Sequence, residues 1–353
     1  MRTTAIFVFL FLLCSFPGIG LADVILDCPN DVATWSGTVT LSNEDYWIED
    51  DCVLTVEAGT TVKVHPGRNI TVSSDGSIDI NGTSQSPVLF TTTETTINSY
   101  TDHWGSLIIK GGIHSISYVT FEYGGNNTSA LITTDANVEF HNVARYINNL
   151  TVHDSAIAGI RANACILDMS ECDIYNSNND GIMIDNITSG AFNPFMNLLR
   201  FTLADSTIED NGGSGIEIYK PKIALDIDNC LVDSNNVTGI LVDESTYSTG
   251  AITVTNSDVT NNSATGFEIN NTTYHAGIYI TDTTTQVVTF EYNNIVNIQT
   301  ADPTHKELIY NATTSTNSDF TPNYWGVTGP LQVAARINHP LQVDWRGFAT
   351  TPY

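Results

Sequence analysis

The chain has 353 residues, of which 39 are acidic and 12 are Lys or Arg, so its formal net charge is −27 at pH 7. An electrostatic field of this sign repels nucleic acid and anionic membrane surfaces, and it excludes both as partners. The composition is typical of a soluble extracellular protein and also permits cation binding.

The first 22 residues have the pattern of a secretory signal peptide. Arg2 precedes an apolar run from Ala5 to Phe16, and the small residues Gly20 and Ala22 lie just before the expected cleavage point. The run is too short to span a membrane comfortably, and no later stretch is long and apolar enough to do so. We therefore expect a secreted or cell-surface protein whose mature chain begins at Asp23 and has no membrane span.

A short apolar repeat begins in the next part of the chain. Pairs of apolar residues start every eight residues, and turn residues such as Pro66-Gly67 and Asp75-Gly76 separate them. Within a pair the apolar residues are two apart, which is the period of a strand with one buried face. Three such steps span 24 residues and predict one full turn of a three-faced coil. The pairs are Leu54/Val56, Val62/Val64, Ile70/Val72 and Ile78/Ile80.

A second repeat places an Asn, Asp and Ser cluster before a glycine and two apolar residues. The glycines are Gly159, Gly181, Gly215, Gly239 and Gly266, at intervals of 22, 34, 24 and 27 residues. Three intervals are close to the 24-residue turn, so the two patterns predict one solenoid whose coils stack about 4.8 Å apart. The stacking predicts two polar columns, Asp154, Asn176, Asp210, Ser234, Asn261 and Ser155, Ser177, Asn211, Asn235, Asn262. It also predicts an outward column, Arg161, Met183, Glu217, Leu241 and Glu268.

These repeats, with the segments "LTVEAGTTVKV" (54–64), "HWGSLII" (103–109) and "NYWGVTGP" (323–330), carry a family resemblance. The chain resembles the right-handed parallel β-helix repeat proteins of the pectate-lyase-like superfamily, in particular microbial secreted or cell-surface members. The resemblance implies an all-β fold, a right-handed single-stranded parallel β-helix with capped ends. That superfamily includes lyases, hydrolases, epimerases and adhesins, so the resemblance leaves the activity open.

The solenoid divides the mature chain into three regions. We expect an N-terminal cap over 23–50, held by a Cys28–Cys52 disulfide, then coils over 51–319, then a C-terminal closure over 320–353. Caps protect the unpaired strand at each end of a solenoid. The alternative is that one end stays open and copies of the chain associate end to end into an extracellular filament.

Three further cysteines follow. Cys172 and Cys230 fall in one column with Ser206 between them, so they lie about 10 Å apart and should not form a disulfide. A bond between Cys165 and Cys172 remains open, and Cys230 is expected to be a buried free thiol.

Two candidate binding features stand out. The acidic residues Asp154, Glu209, Asp210 and Asp233 fall on one turn of neighbouring coils and are candidate Ca²⁺ ligands through their carboxylate oxygens. A solvated acidic turn is the alternative that the residues favour. The 34-residue interval contains the extra segment 187–197, whose Phe192, Phe195 and Met196 are candidate ligand contacts, unless the segment covers the flank of the solenoid.

Eleven Asn-x-Ser/Thr triplets are candidate glycosylation sites of a secreted protein. They are Asn69, Asn81, Asn126, Asn127, Asn149, Asn186, Asn236, Asn261, Asn270, Asn271 and Asn311.

No motif for nucleophilic catalysis, zinc binding or phosphate binding appears. We therefore expect a non-enzymatic protein with a structural, adhesive or glycan-binding role at the cell surface or in extracellular material, with extracellular polysaccharide as a partner. The first alternative is a lyase or hydrolase of an acidic polysaccharide, with its site on the coil face near residues 150–235. The second is a subunit of an extracellular filament.

Overall fold

In a computed structural model, the chain forms a parallel β-helix of three sheets, which confirms the predicted fold class. The structure describes residues 23–26, 28, 31–126, 136–185, 200–219, 224–243, 251–262, 267–269, 272–281, 288–296, 305–311, 319–327, 330–338 and 348–353. The predicted signal peptide and the 187–197 segment therefore lie outside the described residues. Each coil contributes one strand to each of three faces, here called sheets A, B and C.

Sheet A is the longest face, and its strands pair in parallel along the helix axis. A short strand, β26 (Phe267–Ile269), pairs antiparallel with one of its members, β27 (Thr272–Thr281). The strands of sheet A are β1 (Val24–Ile25), β4 (Tyr46–Ile48), β7 (Ile70–Val72), β10 (Leu107–Ile109), β12 (Ala136–His141), β14 (Ala158–Asn163), β17 (Ile182–Asp185), β20 (Ile216–Tyr219), β23 (Thr238–Asp243), β27 (Thr272–Thr281), β30 (His305–Asn311) and β31 (Ile337–Asn338).

Sheets B and C are joined by two long strands, β11 (Gly112–Glu122) and β13 (Ala144–His153). Left-handed backbone at Tyr118 and Asn149 bends these strands from one face to the other. The remaining strands of sheet B are β2 (Val32–Trp35), β5 (Val53–Glu57), β8 (Ser77–Asn81), β15 (Ile166–Ser170), β18 (Arg200–Ala204), β21 (Ala224–Asp228), β24 (Ile252–Thr255) and β28 (Val288–Glu291). Those of sheet C are β3 (Thr38–Thr40), β6 (Thr61–Val64), β9 (Val88–Thr92), β16 (Asp173–Tyr175), β19 (Thr207–Glu209), β22 (Leu231–Asp233), β25 (Asp258–Thr260) and β29 (Asn294–Val296).

The 24-residue turn predicted from the first repeat is confirmed. Leu54 pairs with Ile78 and Val56 pairs with Ile80, each 24 residues further along the chain. All four side chains are fully buried. Inward side chains of every coil stack in this way, so the core is a continuous column along the axis, and apolar burial is the main stabilising term.

The predicted polar columns form the corner between sheets C and A. In the first column the backbone is left-handed at every member, with φ of 51–55° at Asp154, Asn176, Asp210, Ser234 and Asn261. The second column is buried and contains an asparagine ladder, which we define as Asn211, Asn235 and Asn262. Nδ2 of Asn211 donates to Oδ1 of Asn235 over 2.9 Å, and Nδ2 of Asn235 donates to Oδ1 of Asn262 over 2.9 Å. The ladder therefore ties three coils together through their corners.

The prediction that Gly266 follows Gly239 in the second repeat is wrong. In sheet A, Thr238 and Ile240 of β23 pair with Ala276 and Ile278 of β27, so Gly277 and not Gly266 follows Gly239. Phe267 and Ile269 instead form β26, in an antiparallel hairpin with β27. The outward column accordingly continues from Leu241 to Tyr279, and Glu268 is not part of it. The hairpin inserts residues between the polar corner and the next strand, and this shifted the apparent repeat.

Regular elements occur in both of the regions predicted as ends. The region 23–50 contains β2, β3 and β4, which pair with β5, β6 and β7, so this region already forms a coil. The Cys28–Cys52 disulfide is present and links residues 24 positions apart. Near the other end, the helix α1 (Pro330–Arg336) leads directly into β31, which pairs with β30.

Candidate functional site

The outer face of sheet C carries a regular row of polar and aromatic side chains. Its strands are three residues long in most coils, and only the middle residue is buried, so the residues on both sides point outward. One outward position per coil aligns in register over five coils, about 19 Å in all. We call these residues the sheet C row: Glu122, His153, Tyr175, Glu209 and Asp233.

Aromatic rings extend the row along the adjoining corner. His153 lies flat against Tyr175, with ring centroids 4.9 Å apart and planes 6° from parallel. Edge contacts then connect His153 to Tyr123, Tyr123 to His103, and His103 to Tyr100, with centroids 5.5–6.3 Å apart. These separations lie in the attractive range for ring pairs. The result is a track of five rings on this face and the adjoining corner.

Two contacts hold the track in place. The hydroxyl of Tyr100 donates to Oδ1 of Asn178 over 2.6 Å, so the segment around the 3₁₀ turn Tyr100–Asp102 is tied to a coil 78 residues later. The ring of His153 has carboxylates on both sides. Its Nδ1 lies 2.7 Å from Oδ2 of Asp154, and its Nε2 lies 3.6 Å from Oε2 of Glu122. The imidazole is therefore fixed in one orientation.

The electrostatics of the row are dominated by negative charge. Burial, then the carboxylates of Asp210 and Asp233, raise the pKa of Glu209 above its usual value. Burial and the nearby Asp154 likewise raise the pKa of Tyr175. A nearby negative charge disfavours ionisation of a carboxyl or a phenol. Part of the rise in both pKa values therefore comes from the carboxylates that lie along this face.

The four predicted Ca²⁺ ligands all lie on this face but do not converge. Glu209 and Asp233 are neighbours in register, and Asp210 follows Glu209 at the corner. Asp154 lies two coils away, about 10 Å along the axis, and interacts with His153. Oδ1 of Asp233 accepts hydrogen bonds from Thr260 and Asn261. Within the described ranges, no group of three or more His, Cys, Asp or Glu side chains is placed to hold a metal ion.

The outer face of sheet A carries a second set of charged residues, which the sequence reasoning missed apart from Arg161 and Glu217. Nε2 of His141 lies 3.0 Å from Oε2 of Glu139, whose side chain is only 2% exposed. In the next coils a guanidinium nitrogen of Arg161 lies 2.6 Å from Oδ2 of the buried Asp185. Burial of an ion pair is costly unless both partners are satisfied, so these charges are held as matched pairs.

Asp180 and Glu217 form a carboxyl pair on the same face. Glu217 interacts with Asp180 and partly offsets the effect of burial on the pKa of Asp180. Oδ1 of Asp180 also accepts a hydrogen bond from the backbone N–H of Ser214 over 2.7 Å. Burial is the largest influence on Asp180 and raises its pKa above the usual value. Glu217 lies in the same outward column as Arg161 with Met183 between them, so two strand spacings, about 10 Å, separate Glu217 from Arg161 along the column.

Other predicted residues have less to offer as sites. Cys165, Cys172 and Cys230 are buried free thiols, and Cys172 and Cys230 do not form a disulfide with each other. Burial raises the pKa of Cys172 and of Cys230 to about 12, which suppresses the reactive thiolate. Phe192, Phe195 and Met196 lie outside the described residues.

The candidate glycosylation sites divide by exposure. Asn69 is 1% exposed, and its Oδ1 accepts the backbone N–H of Ser106 over 2.9 Å, so it is not available for sugar attachment in the folded chain. Asn81 and Asn261 are exposed and remain predictions, as do the partly buried Asn126, Asn149 and Asn236. The side chain of Asn311 and all of Asn127, Asn186, Asn270 and Asn271 lie outside the described residues.

Comparison with protein families confirms the resemblance to pectate-lyase-like β-helix proteins. Residues 31–130 match the family model of the pectate-lyase like beta helix domain. No curated protein sequence matches the chain.

Several solved structures are similar to the chain. The A-module of the mannuronan C-5 epimerase AlgE4 of Azotobacter vinelandii has 11% identity and a TM-score of 0.49, with 82% of this chain and 86% of that chain covered. Pectate lyase Pel9A has 12% identity and a TM-score of 0.41, with 78% and 72% covered. The Dettilon tailspike protein has 9% identity and a TM-score of 0.41, with 88% and 63% covered. These values assign no activity to this chain.

A search of the described helices for a membrane-crossing segment finds none of sufficient length and apolar character.

Proposed function

We propose that the protein is a secreted polysaccharide-binding β-helix that holds a linear glycan along the outer face of sheet C. The observation that carries the proposal is the sheet C row, with one outward aromatic or hydrogen-bonding side chain per coil over five coils. A polymer with a repeating unit meets the same kind of contact at each step along such a row.

The chemistry of the row supports a sugar as the bound unit. Sugars present apolar C–H faces and many hydroxyl groups. Tyr123 and Tyr175 offer ring surface to the former, and Glu209 and Asp233 accept hydrogen bonds from the latter. The row residues are partly and not fully exposed, so their side chains lose little conformational freedom when a ligand binds. A rigid solenoid preorganises the whole row.

Affinity electrophoresis through gels that contain soluble polysaccharides tests this function. We expect at least one polysaccharide to retard the protein, and Tyr175→Ala to weaken the retardation because it removes a ring from the track. Asp226→Asn, on the outer face of sheet B, is the matched control and should leave retardation unchanged. Retardation that is equally strong in the Tyr175 variant would contradict binding along sheet C.

A second function is favoured by the Asp180–Glu217 pair. A buried carboxyl with a raised pKa that interacts with a second carboxyl is the type of group that acid–base cleavage of a polysaccharide requires. Under this alternative, incubation with a panel of polysaccharides would release reducing ends or unsaturated products, and Glu217→Gln would abolish the release. Intact polysaccharide across the panel would refute it and would leave the binding function untouched.

A further inference from the structure

We infer that the glycan bound along sheet C is cationic, a polymer of amino sugars with free amino groups. This inference rests on the proposed function and names its ligand class. Its basis is a difference in charge pairing between the three faces of the solenoid.

On each of sheets A and B, one carboxylate is paired with an arginine. Arg161 pairs with Asp185 over 2.6 Å on sheet A. On sheet B, a guanidinium nitrogen of Arg200 lies 2.7 Å from Oδ1 of Asp168. Both faces therefore satisfy part of their charge within the chain.

Sheet C lacks such a match. The sheet C row contains no Lys or Arg, and neither does the second outward row of the same strands, Thr120, Thr151, Asp173, Thr207 and Leu231. The register of the row reaches a lysine at Lys63, two coils before Glu122. In the described part of the chain, His153 is the one basic side chain that forms ion pairs on this face. Glu122 also accepts a hydrogen bond from the hydroxyl of Thr91, and Asp233 accepts one from the hydroxyl of Thr260. The outward carboxyl groups of this row are therefore not paired with arginine, unlike those of Asp185 and Asp168.

The aromatic rings favour an ammonium group as the bound cation. An ammonium group next to Tyr175 gains a cation–π contact in addition to its attraction to Glu209 in the adjacent coil. A uronic-acid polymer would bring its own carboxylates against this face and would be repelled, as would be expected from the net charge of −27. The geometry favours a glycan over a basic peptide, because outward side chains occur once per coil at a constant step of about 4.8 Å, with rings at His153 and Tyr175 and carboxyl groups at the other positions. A repeating sugar with one amino group per unit fits a constant step, whereas a peptide of mixed sequence does not.

The test compares oligomers of equal length by isothermal titration calorimetry, at a pH at which free amines are protonated. The probes are a β-1,4-linked glucosamine hexamer, its fully N-acetylated form, a galacturonic acid hexamer and a lysine hexapeptide. We expect the glucosamine hexamer to bind most tightly, with the acetylated form weaker by about tenfold or more because it loses every charge contact. We also expect its affinity to fall steeply when the salt concentration rises from about 50 mM to about 500 mM.

Variants locate the contact. Glu209→Gln keeps the shape of the side chain and removes one charge, so it should weaken binding of the glucosamine hexamer about threefold to tenfold and weaken binding of the acetylated form by a smaller factor. Asp226→Asn removes one charge from sheet B and should change neither. Thermal melts of both variants check that each is folded.

Each other outcome overturns a defined part of the account. If no oligomer and no polysaccharide binds, the proposed function fails together with this inference. If the acetylated or the uronic-acid hexamer binds as tightly as the glucosamine hexamer, glycan binding stands and a cationic ligand is refuted. If the lysine hexapeptide binds more tightly than the glucosamine hexamer, the face recognises basic polypeptides and the inference is wrong.

Discussion

Replacing Asn235 with alanine tests the asparagine ladder as a structural element. The side chain is 0% exposed and makes four hydrogen bonds within the corner. Its Oδ1 accepts from the backbone N–H of Asn211 over 3.2 Å and from Nδ2 of Asn211 over 2.9 Å. Its Nδ2 donates to the carbonyl of Ile208 over 3.1 Å and to Oδ1 of Asn262 over 2.9 Å. Each buried hydrogen bond contributes about 1 kcal/mol net, so we expect Asn235→Ala to lower the free energy of unfolding by roughly 4 kcal/mol.

Urea denaturation followed by tryptophan fluorescence measures this change. The matched control is Asn81→Ala, because Asn81 is exposed at the end of a strand, and it should change the free energy of unfolding by less than about 0.5 kcal/mol. A loss below about 1 kcal/mol for Asn235→Ala, or a loss equal to that of the control, would refute the ladder as the tie between coils.

Three further results are expected from the same structure. Burial raises the pKa of Asp180, so the protonated carboxyl stabilises the fold at low pH and this contribution is lost as the pH rises. In urea titrations from about pH 4 to about pH 7, wild type should therefore lose stability relative to Asp180→Asn, and parallel profiles would contradict this. The double variant Cys28→Ser/Cys52→Ser should lose about 3 kcal/mol by the same assay, since the bond links residues 24 positions apart; an unchanged midpoint would show that the bond is dispensable. Cys172 and Cys230 should resist Ellman's reagent in the native protein and react in denaturant, because burial raises the pKa of each thiol to about 12; rapid native reaction would disprove their burial.

The architecture could be predicted from the sequence because the repeat consists of short-range sequence patterns. Strand period, turn residues and the 24-residue step are local features, and Leu54 and Ile78 pair as the spacing requires. The left-handed corner at Asp154 was predictable in the same way, since Asp, Asn and Ser tolerate that conformation. The predicted register was wrong at Gly266. The inserted strand β26 that follows it has the sequence pattern of the repeat but pairs antiparallel with β27 and does not join the parallel stack.

The candidate site was only partly predictable. Glu209 and Asp233 were identified from the repeat, but Glu122 and Tyr175 were not, because their coils lack the acidic corner that drew attention to the others. On sheet A, Glu139 and Asp185 become partners of His141 and Arg161 only through burial and strand register. The sequence pattern alone does not show which outward residues are covered.

The most direct test of the central claim is a crystal structure of the protein soaked with a glucosamine hexamer. We predict sugar density along the outer face of sheet C, in contact with Tyr175 and Glu209 and continuous over at least three coils. Density on the outer face of sheet A, beside Asp180 and Glu217, would contradict the claim and favour the enzymatic alternative.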